Sequence, residues 1–176
     1  GFLSGGYEPA IVLSGTENGL PFSTQPAVGE TVTVQDASQL AITNTSVMPS
    51  DLFTADQTGI RAVEIRVANN GEAVVRLDNL DLRLFLGRTD VTGQYTIAEA
   101  ISVSGIEIPG GSDTLVVILL SDAPGPMSTG TVTIESTIWG TDLNSAEELE
   151  ATTEYGGKGS LTVQTPAVLE VYRVLA

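Results

Sequence analysis

The sequence predicts an all-β protein, built as an antiparallel β-sandwich of about nine to ten short strands. Val, Ile and Thr together make up 50 of the 176 residues, and β-branched side chains favour pleated, half-buried surfaces. The 19 Gly and 8 Pro residues supply turns at the density that many short strands require. Apolar and polar residues alternate over short stretches, and no long stretch carries a helical period.

The first part of the chain predicts short strands separated by turns. Residues 17–19 (ENG) indicate a tight turn, because Asn and Gly accept a positive φ. Residues 48–51 (MPSD) predict a loop. The strands predicted in this part are residues 10–13, 31–34 and, after a break, 39–43.

A β-hairpin is predicted in the middle of the chain. Residues 61–68 alternate, and residues 69–72 (NNGE) are a strong signal for a hairpin turn. In the return strand the apolar parity flips at Asp78-Asn79, which predicts a bulge where the strand bends or crosses to the other sheet. The inward positions predicted on the two strands are Val63, Ile65, Val67, Val75 and Leu77.

The second half of the chain predicts further strands. Residues 115–120 (LVVILL) are a continuous apolar run, which predicts a central buried strand. Residues 145–148 fit a helical capping box, but the alternation from 148 to 155 favours a strand there. The other predicted elements are a turn at 109–112, strands at 131–139 and 161–165, and an apolar segment at 167–176.

Composition excludes several classes of function. The chain has no Cys and no His, which excludes disulfides, thiol nucleophiles, the usual zinc sites and a Ser-His-Asp triad. A formal charge of −15 with one Lys disfavours nucleic-acid binding. The longest apolar run is too short to span a bilayer, so we expect no membrane insertion. Carboxylate pairs for glycoside hydrolysis can arise by folding, but we expect no enzymatic activity.

Short segments between residues 49 and 165 resemble the CARDB-type immunoglobulin-like modules of secreted bacterial and archaeal surface proteins. The segments that carry the resemblance are 63–72 (VEIRVANNGE), 80–82 (LDL), 90–95 (DVTGQY), 108–115 (IPGGSDTL), 129–132 (TGTV) and 140–142 (GTD). The resemblance implies an immunoglobulin-like sandwich of seven or more strands at the cell surface, without enzymatic activity. It covers roughly two thirds of the chain, and we predict one sandwich domain over residues 1–176.

Two features predict ligands or modifications. Oxygen-bearing side chains crowd one turn and suit Ca²⁺, which takes oxygen ligands; a solvated acidic surface is the alternative. The candidate calcium ligands are Asp142, Asn144, Glu147 and Glu148, with a second acidic run at Asp78, Asn79 and Asp81. No other cofactor is expected. Asn44-Thr45-Ser46 is a glycosylation sequon, so Asn44 is a candidate glycan site.

The two terminal segments, residues 1–13 and 167–176, lie outside the resembling core and are apolar. An extended apolar segment can complete the sheet of a neighbouring molecule, although each segment can equally be an edge strand of its own domain. The side chains expected at such a subunit interface are Phe2, Leu3, Ile11, Val12, Leu13, Val168, Leu169, Val171, Tyr172 and Val174.

The sequence therefore favours an extracellular structural subunit that polymerises with copies of itself into a pilus-like filament or surface layer by donating a terminal β-strand. Head-to-tail contacts that do not close generate filaments. The alternative is a monomeric cell-surface adhesion or carbohydrate-binding module, in which Trp139 and Tyr95 stack on a sugar. Most acidic residues fall at outward strand positions or in turns, where they disfavour indiscriminate pairing of sheet edges.

Overall fold

The structure, a computed structural model, describes residues 3–55, 59–99, 102–168 and 170. It divides into two compact units, residues 1–37 and residues 38–176. The sequence predicts one sandwich domain over residues 1–176, whereas the structure groups the first 37 residues separately. Each unit is described by itself below.

The first unit is a two-stranded antiparallel ribbon that runs from residue 5 to residue 34. Its outgoing and returning halves pair in three successive ladders, from Gly5 opposite Val34 to Glu17 opposite Leu20. The predicted turn is present at the tip, where Asn18 and Gly19 have φ values of 50° and 79°. The strands of the ribbon are β1 (Gly5–Tyr7), β2 (Ala10–Ile11), β3 (Ser14–Glu17), β4 (Leu20–Ser23), β5 (Ala27–Val28) and β6 (Val32–Val34).

The second unit, called the body, is a two-sheet sandwich. Its strands are β7 (Leu40–Met48), β8 (Leu52–Thr54), β9 (Arg61–Asn69), β10 (Val75–Leu86), β11 (Thr89–Asp90), β12 (Tyr95–Glu99), β13 (Glu107–Ile108), β14 (Asp113–Asp122), β15 (Gly130–Asp142), β16 (Glu148–Thr152) and β17 (Gly159–Gln164). One sheet has the order β11-β10-β15-β17-β8, with β13 added to β10 and β16 added to β15. The other has the order β12-β14-β9-β7.

The body confirms the predicted fold class, an all-β, immunoglobulin-like sandwich. Nearly all its strand pairs are antiparallel; β8 pairs in parallel with β17. Helical structure in the described residues is limited to short 3-10 turns at Thr92–Gln94 and Thr153–Tyr155. None of the described helices is long and apolar enough to cross a membrane.

The core of the body lies between the two sheets and follows the predicted alternation. The inward residues of β9 and β15 are almost completely buried, which confirms the periodicity seen in the sequence. The central strand β14 buries one face only, because Leu115 on its other face is 44% exposed. Large side chains that are fully buried include Phe53, Ile65, Leu77, Leu84, Ile118, Leu120, Ile134, Ile138 and Leu161.

The predicted hairpin between residues 61–68 and the following strand is wrong, because the two strands belong to different sheets. Strand β9 pairs with β14 and β7, whereas β10 pairs with β15, β11 and β13. The buried side chain of Asn69 bridges four backbone groups around this crossing. Its Nδ2 donates to the carbonyls of Ala73 and Ile108 at 2.7 and 3.1 Å, and its Oδ1 accepts from the amides of Gln39 and Gly71 at 3.1 Å.

Two further local features agree with the sequence. The register of β10 against β15 shifts between Leu77 and Asn79, so the predicted bulge is confirmed. Residues 109–112 form the predicted turn, in which Gly111 has a φ of 67°. The neighbouring Gly110 approaches the 69–75 crossing so closely that a Cβ atom there would lie 2.2 Å from the Glu72 carbonyl oxygen. Only glycine therefore fits at this position.

Candidate functional site

The ribbon is the first candidate site because it exposes apolar side chains along both of its strands. Across the ladder, Tyr7 lies opposite Val32 and Ile11 lies opposite Ala27. From residue 3 to residue 33 every residue is exposed, with exposed fractions of 82% for Leu3, 72% for Leu20 and 66% for Ile11. A single two-stranded layer has no second layer against which to bury these side chains.

The structure places the described N-terminal residues of the predicted interface on this ribbon. Ile11, Val12 and Leu13 are exposed in or beside β2, and Leu3 precedes β1. Residues 5–17 are not a free strand, however, because the returning half of the ribbon already pairs with them. At the other end, Val168 is 83% exposed. The predicted interface residues Phe2, Leu169, Val171, Tyr172 and Val174 lie outside the described residues.

Sequence reasoning missed the returning half of the ribbon as part of the surface. Leu20, Phe22, Val28 and Val32 are large, apolar and exposed. The signal was present in the Asn18-Gly19 turn and in the alternation of residues 31–34. Combining them as the tip and base of one hairpin would have found the pairing partner of residues 5–17.

Asp142, the first candidate calcium ligand, instead holds the protein's own donors. It is 1% exposed at the end of β15. Its Oδ2 accepts hydrogen bonds from the backbone amide and hydroxyl of Ser38 at 2.8 and 2.7 Å. Its Oδ1 accepts from the amides of Asn144 and Ser145 at 2.8 and 3.0 Å. Both oxygens of the carboxylate therefore have two protein donors each.

These bonds also determine the charge state of Asp142. Burial raises the pKa of a carboxyl group, but the bonds from Ser38, Ser145 and Asn144 outweigh burial and hold the pKa of Asp142 well below its usual range. Asp142 is therefore an ionised, buried anchor for the start of the body. Glu147 and Glu148 are exposed, and within the described ranges no group of three or more acidic side chains has an arrangement that could hold a metal ion.

The other predicted polar sites lie at exposed or half-buried positions of the body. Asn44 is exposed on β7, just after a register irregularity. In the second acidic run, Asp78 accepts from the Thr141 hydroxyl at 2.6 Å and from Arg76 at 3.3 Å. Asp81 accepts from Arg83 Nε at 2.8 Å. The carboxylates of this run are therefore paired with neighbouring side chains on the same sheet.

The predicted sugar-stacking pair is wrong, because Tyr95 is buried inside the body. Its ring packs edge-on against Phe53, with 6.0 Å between the ring centroids. Burial, and to a smaller extent the negative Asp122, raises the pKa of Tyr95 to about 12. The ring is therefore unable to stack on a ligand at the surface.

Trp139 lies on the outer face of the β10–β15–β16 region and is half-buried. Its Nε1 donates to Glu150 Oε2 at 3.1 Å across the β15–β16 ladder. A groove of about 280 Å³ runs along this face. The residues that line it are Asp81, Arg83, Phe85, Glu135, Thr137, Trp139, Glu150 and Thr152.

No protein-family model matches the sequence, and no curated protein matches it significantly. Similar solved structures include the ASH/PapD-like domain 7 of human CEP192, at 13% identity and a TM-score of 0.42, covering 76% of this chain and 89% of that domain. Another is the CARDB domain of a Pyrococcus furiosus protein in complex with di-metal ions, at 15% identity and a TM-score of 0.38, covering 76% and 97%. The secreted serine protease VesC from Vibrio cholerae has 12% identity and a TM-score of 0.38; the similarity covers 68% of this chain and 23% of the protease.

Proposed function

We propose that this chain is an extracellular structural subunit that self-assembles into a pilus-like filament or a surface layer through its ribbon. The observation that carries the proposal is the exposure of large apolar side chains on both halves of the ribbon, such as Ile11 and Leu20. A two-stranded ribbon is marginally stable by itself in water. Contiguous exposed apolar surface is a common mark of a protein interface, so a neighbouring subunit is the partner that the ribbon requires.

The element that each subunit contributes to its neighbour is the whole ribbon rather than the single strand 1–13. Because residues 5–17 already pair with residues 20–34, the ribbon adds to a neighbour as a preformed pair of strands. Sheet edges accept such additions through backbone hydrogen bonds. In the described part of the body, the four-stranded sheet ends at β7 and β12, and these edges are the receiving surfaces we propose.

A contact between the ribbon of one subunit and the body of the next is head-to-tail. Such contacts form open filaments when the rotation does not close a ring. The ribbon carries Glu8, Glu17 and Glu30 and no basic residue, while the whole chain has a formal charge of −15. Salt screens this repulsion, so assembly should increase with ionic strength. The resemblance to CARDB-type modules supports a location at the cell surface.

The test is a charge substitution on the ribbon of the full chain. Ile11→Glu with Leu20→Glu places two carboxylates on the apolar surface of the ribbon and leaves the sequence of the body unchanged. In high salt the unmodified protein should form polymers visible by negative-stain microscopy, and the double variant should sediment as a monomer.

The matched control is Leu52→Glu with Leu115→Glu, which makes the same charge change at two exposed positions of the body and should leave polymers intact. Val168→Glu tests the C-terminal segment in the same way. If the unmodified protein stays monomeric at every salt concentration, self-assembly is refuted, and a monomeric surface adhesion module becomes the better description.

A further inference from the structure

The groove on the outer face of the body combines two aromatic side chains with polar groups from three strands. Trp139 lies opposite Asn79 on β10, and Phe85 lies six residues further along the same strand. At the rise of a β-strand, these positions are separated by about 20 Å. Both aromatic side chains are half-buried and line the same groove. The groove is therefore elongated, with an aromatic residue towards each end.

Two of the three carboxylates that line the groove are paired with cationic side chains. Asp81 accepts from Arg83 Nε, and Glu135 is paired with Lys158, the residue just before β17. The third carboxylate, that of Glu150, accepts a hydrogen bond from the indole N–H of Trp139, which is an uncharged donor. A charged ligand would compete with these pairs, whereas an uncharged ligand can add hydrogen bonds to them. In a chain with a formal charge of −15, an anionic ligand is repelled, so the groove favours a neutral ligand over an anionic one.

The remaining hydrogen-bonding capacity matches hydroxyl groups. Arg83 uses its Nε for Asp81, and each groove carboxylate has further lone pairs. Thr137 and Thr152 add hydroxyl groups from β15 and β16. Ligand sites commonly combine an aromatic surface with a few such polar groups that set orientation. Sugar rings present apolar C–H faces to an aromatic ring and hydroxyl groups at their edges.

We propose that this groove binds an uncharged polysaccharide. Trp139 stacks on one sugar ring, Phe85 contacts a second ring further along the chain, and Arg83 donates to the hydroxyl groups between them. The bond from Trp139 to Glu150 holds the indole in place. This binding function is independent of the ribbon, so it applies equally to a monomer and to a polymer.

The experiment uses the single tryptophan as its reporter, since Trp139 is the only Trp in the chain. The full chain is titrated with soluble β-1,4-glucan, β-1,3-glucan and mannan, and with alginate as an anionic polymer. At least one neutral polysaccharide should shift the Trp emission to shorter wavelength, protect it from acrylamide quenching, and retard the protein in affinity electrophoresis. Alginate should do none of these.

Variants that remove a proposed contact and a variant that removes only a charge test whether a neutral polysaccharide occupies the groove. Trp139→Ala and Arg83→Ala should each weaken retardation at least about tenfold, the loss expected when one good contact is removed, while Leu115→Ala on the other sheet should not change it. Glu150→Gln keeps an acceptor for the indole and removes a charge, so neutral-polysaccharide binding should persist. The proposal is overturned if no neutral polysaccharide binds, if Trp139→Ala binds normally, if alginate binds best, or if the groove binds another protein instead.

Discussion

The ribbon and the body are built from the same kinds of residue, yet they bury them to opposite extents. Val28 in the ribbon is 65% exposed, whereas Val132 in β15 is completely buried. Both are β-branched residues in antiparallel ladders. The difference is the second layer: the body packs one sheet against another, and the ribbon is a single pair of strands. Strand propensity and backbone pairing are thus sufficient for a ladder, while apolar burial requires an opposing sheet.

The same substitution, isoleucine to alanine, in each region tests this difference in burial most directly. Ile134→Ala removes a fully buried side chain and should lower the free energy of unfolding by about 3 kcal/mol. Ile11→Ala on the ribbon should change it by less than about 0.5 kcal/mol. Urea unfolding followed by Trp139 fluorescence, at protein concentrations that keep the chain monomeric, measures both. Equal losses would mean that Ile11 is buried within the single chain.

The second prediction concerns how the body connects its layers. Asn69→Ala removes four hydrogen bonds at the crossing between the sheets and leaves buried backbone groups without partners. The expected loss in the free energy of unfolding is about 3 kcal/mol. Asn70→Ala is the matched control, because Asn70 is exposed and its change should be close to zero. A small effect of Asn69→Ala would show that the turn 70–73 holds the crossing without this side chain.

The smallest of the three effects concerns Asp142, which anchors the first residue of the body. Asp142→Asn keeps the shape but loses the charge, and it should cost about 2 kcal/mol at pH 7. Because the folded-state pKa of Asp142 is lowered, the carboxylate contributes its stability above the unfolded-state value of about 3.9. That contribution is lost as the pH falls through the lower folded-state pKa.

The difference between Asp142→Asn and the unmodified chain should therefore shrink progressively below about pH 4. Chemical unfolding from pH 7 to pH 2.5 measures this difference. A constant difference across that range would contradict the lowered pKa of Asp142.

Melting with and without EDTA at pH 7 tests whether the protein binds calcium. We expect no change in the melting temperature. A lower melting temperature in EDTA would support the predicted calcium site at Asp142, Asn144, Glu147 and Glu148.

The parts of the fold that the sequence predicted are those that neighbours along the chain decide. The alternation of Val63, Ile65 and Val67 assigned the inward face of β9 correctly, because side chains of a strand alternate whatever its partners are. The parity change at Asp78 likewise marked the bulge in β10. The apolar run at 115–120 predicted a central buried strand, and β14 is central in its sheet but buries one face only.

The candidate surfaces were less predictable, because each joins distant residues. The Trp139 groove takes Phe85 from β10 and Glu150 from β16, and nothing in the local pattern of either strand indicates that they meet. Tyr95 has the same local signal as Trp139, an aromatic residue in an alternating strand, yet it packs against Phe53 in the core. Whether an aromatic side chain faces outward depended on the sheet that each strand joined.

By itself, the sequence determined the longer strands of the body, the inward face of β9, the turns at 18–19 and 109–112, and the acidic character of the chain. Tertiary structure decided that β9 and β10 join different sheets, that Asp142 binds Ser38, and that residues 5–17 pair with residues 20–34. The physical reason is the distance along the chain between the residues that interact. Propensity and periodicity depend on residues a few positions apart, whereas strand partners are selected by the free energy of contacts between segments far apart in the chain.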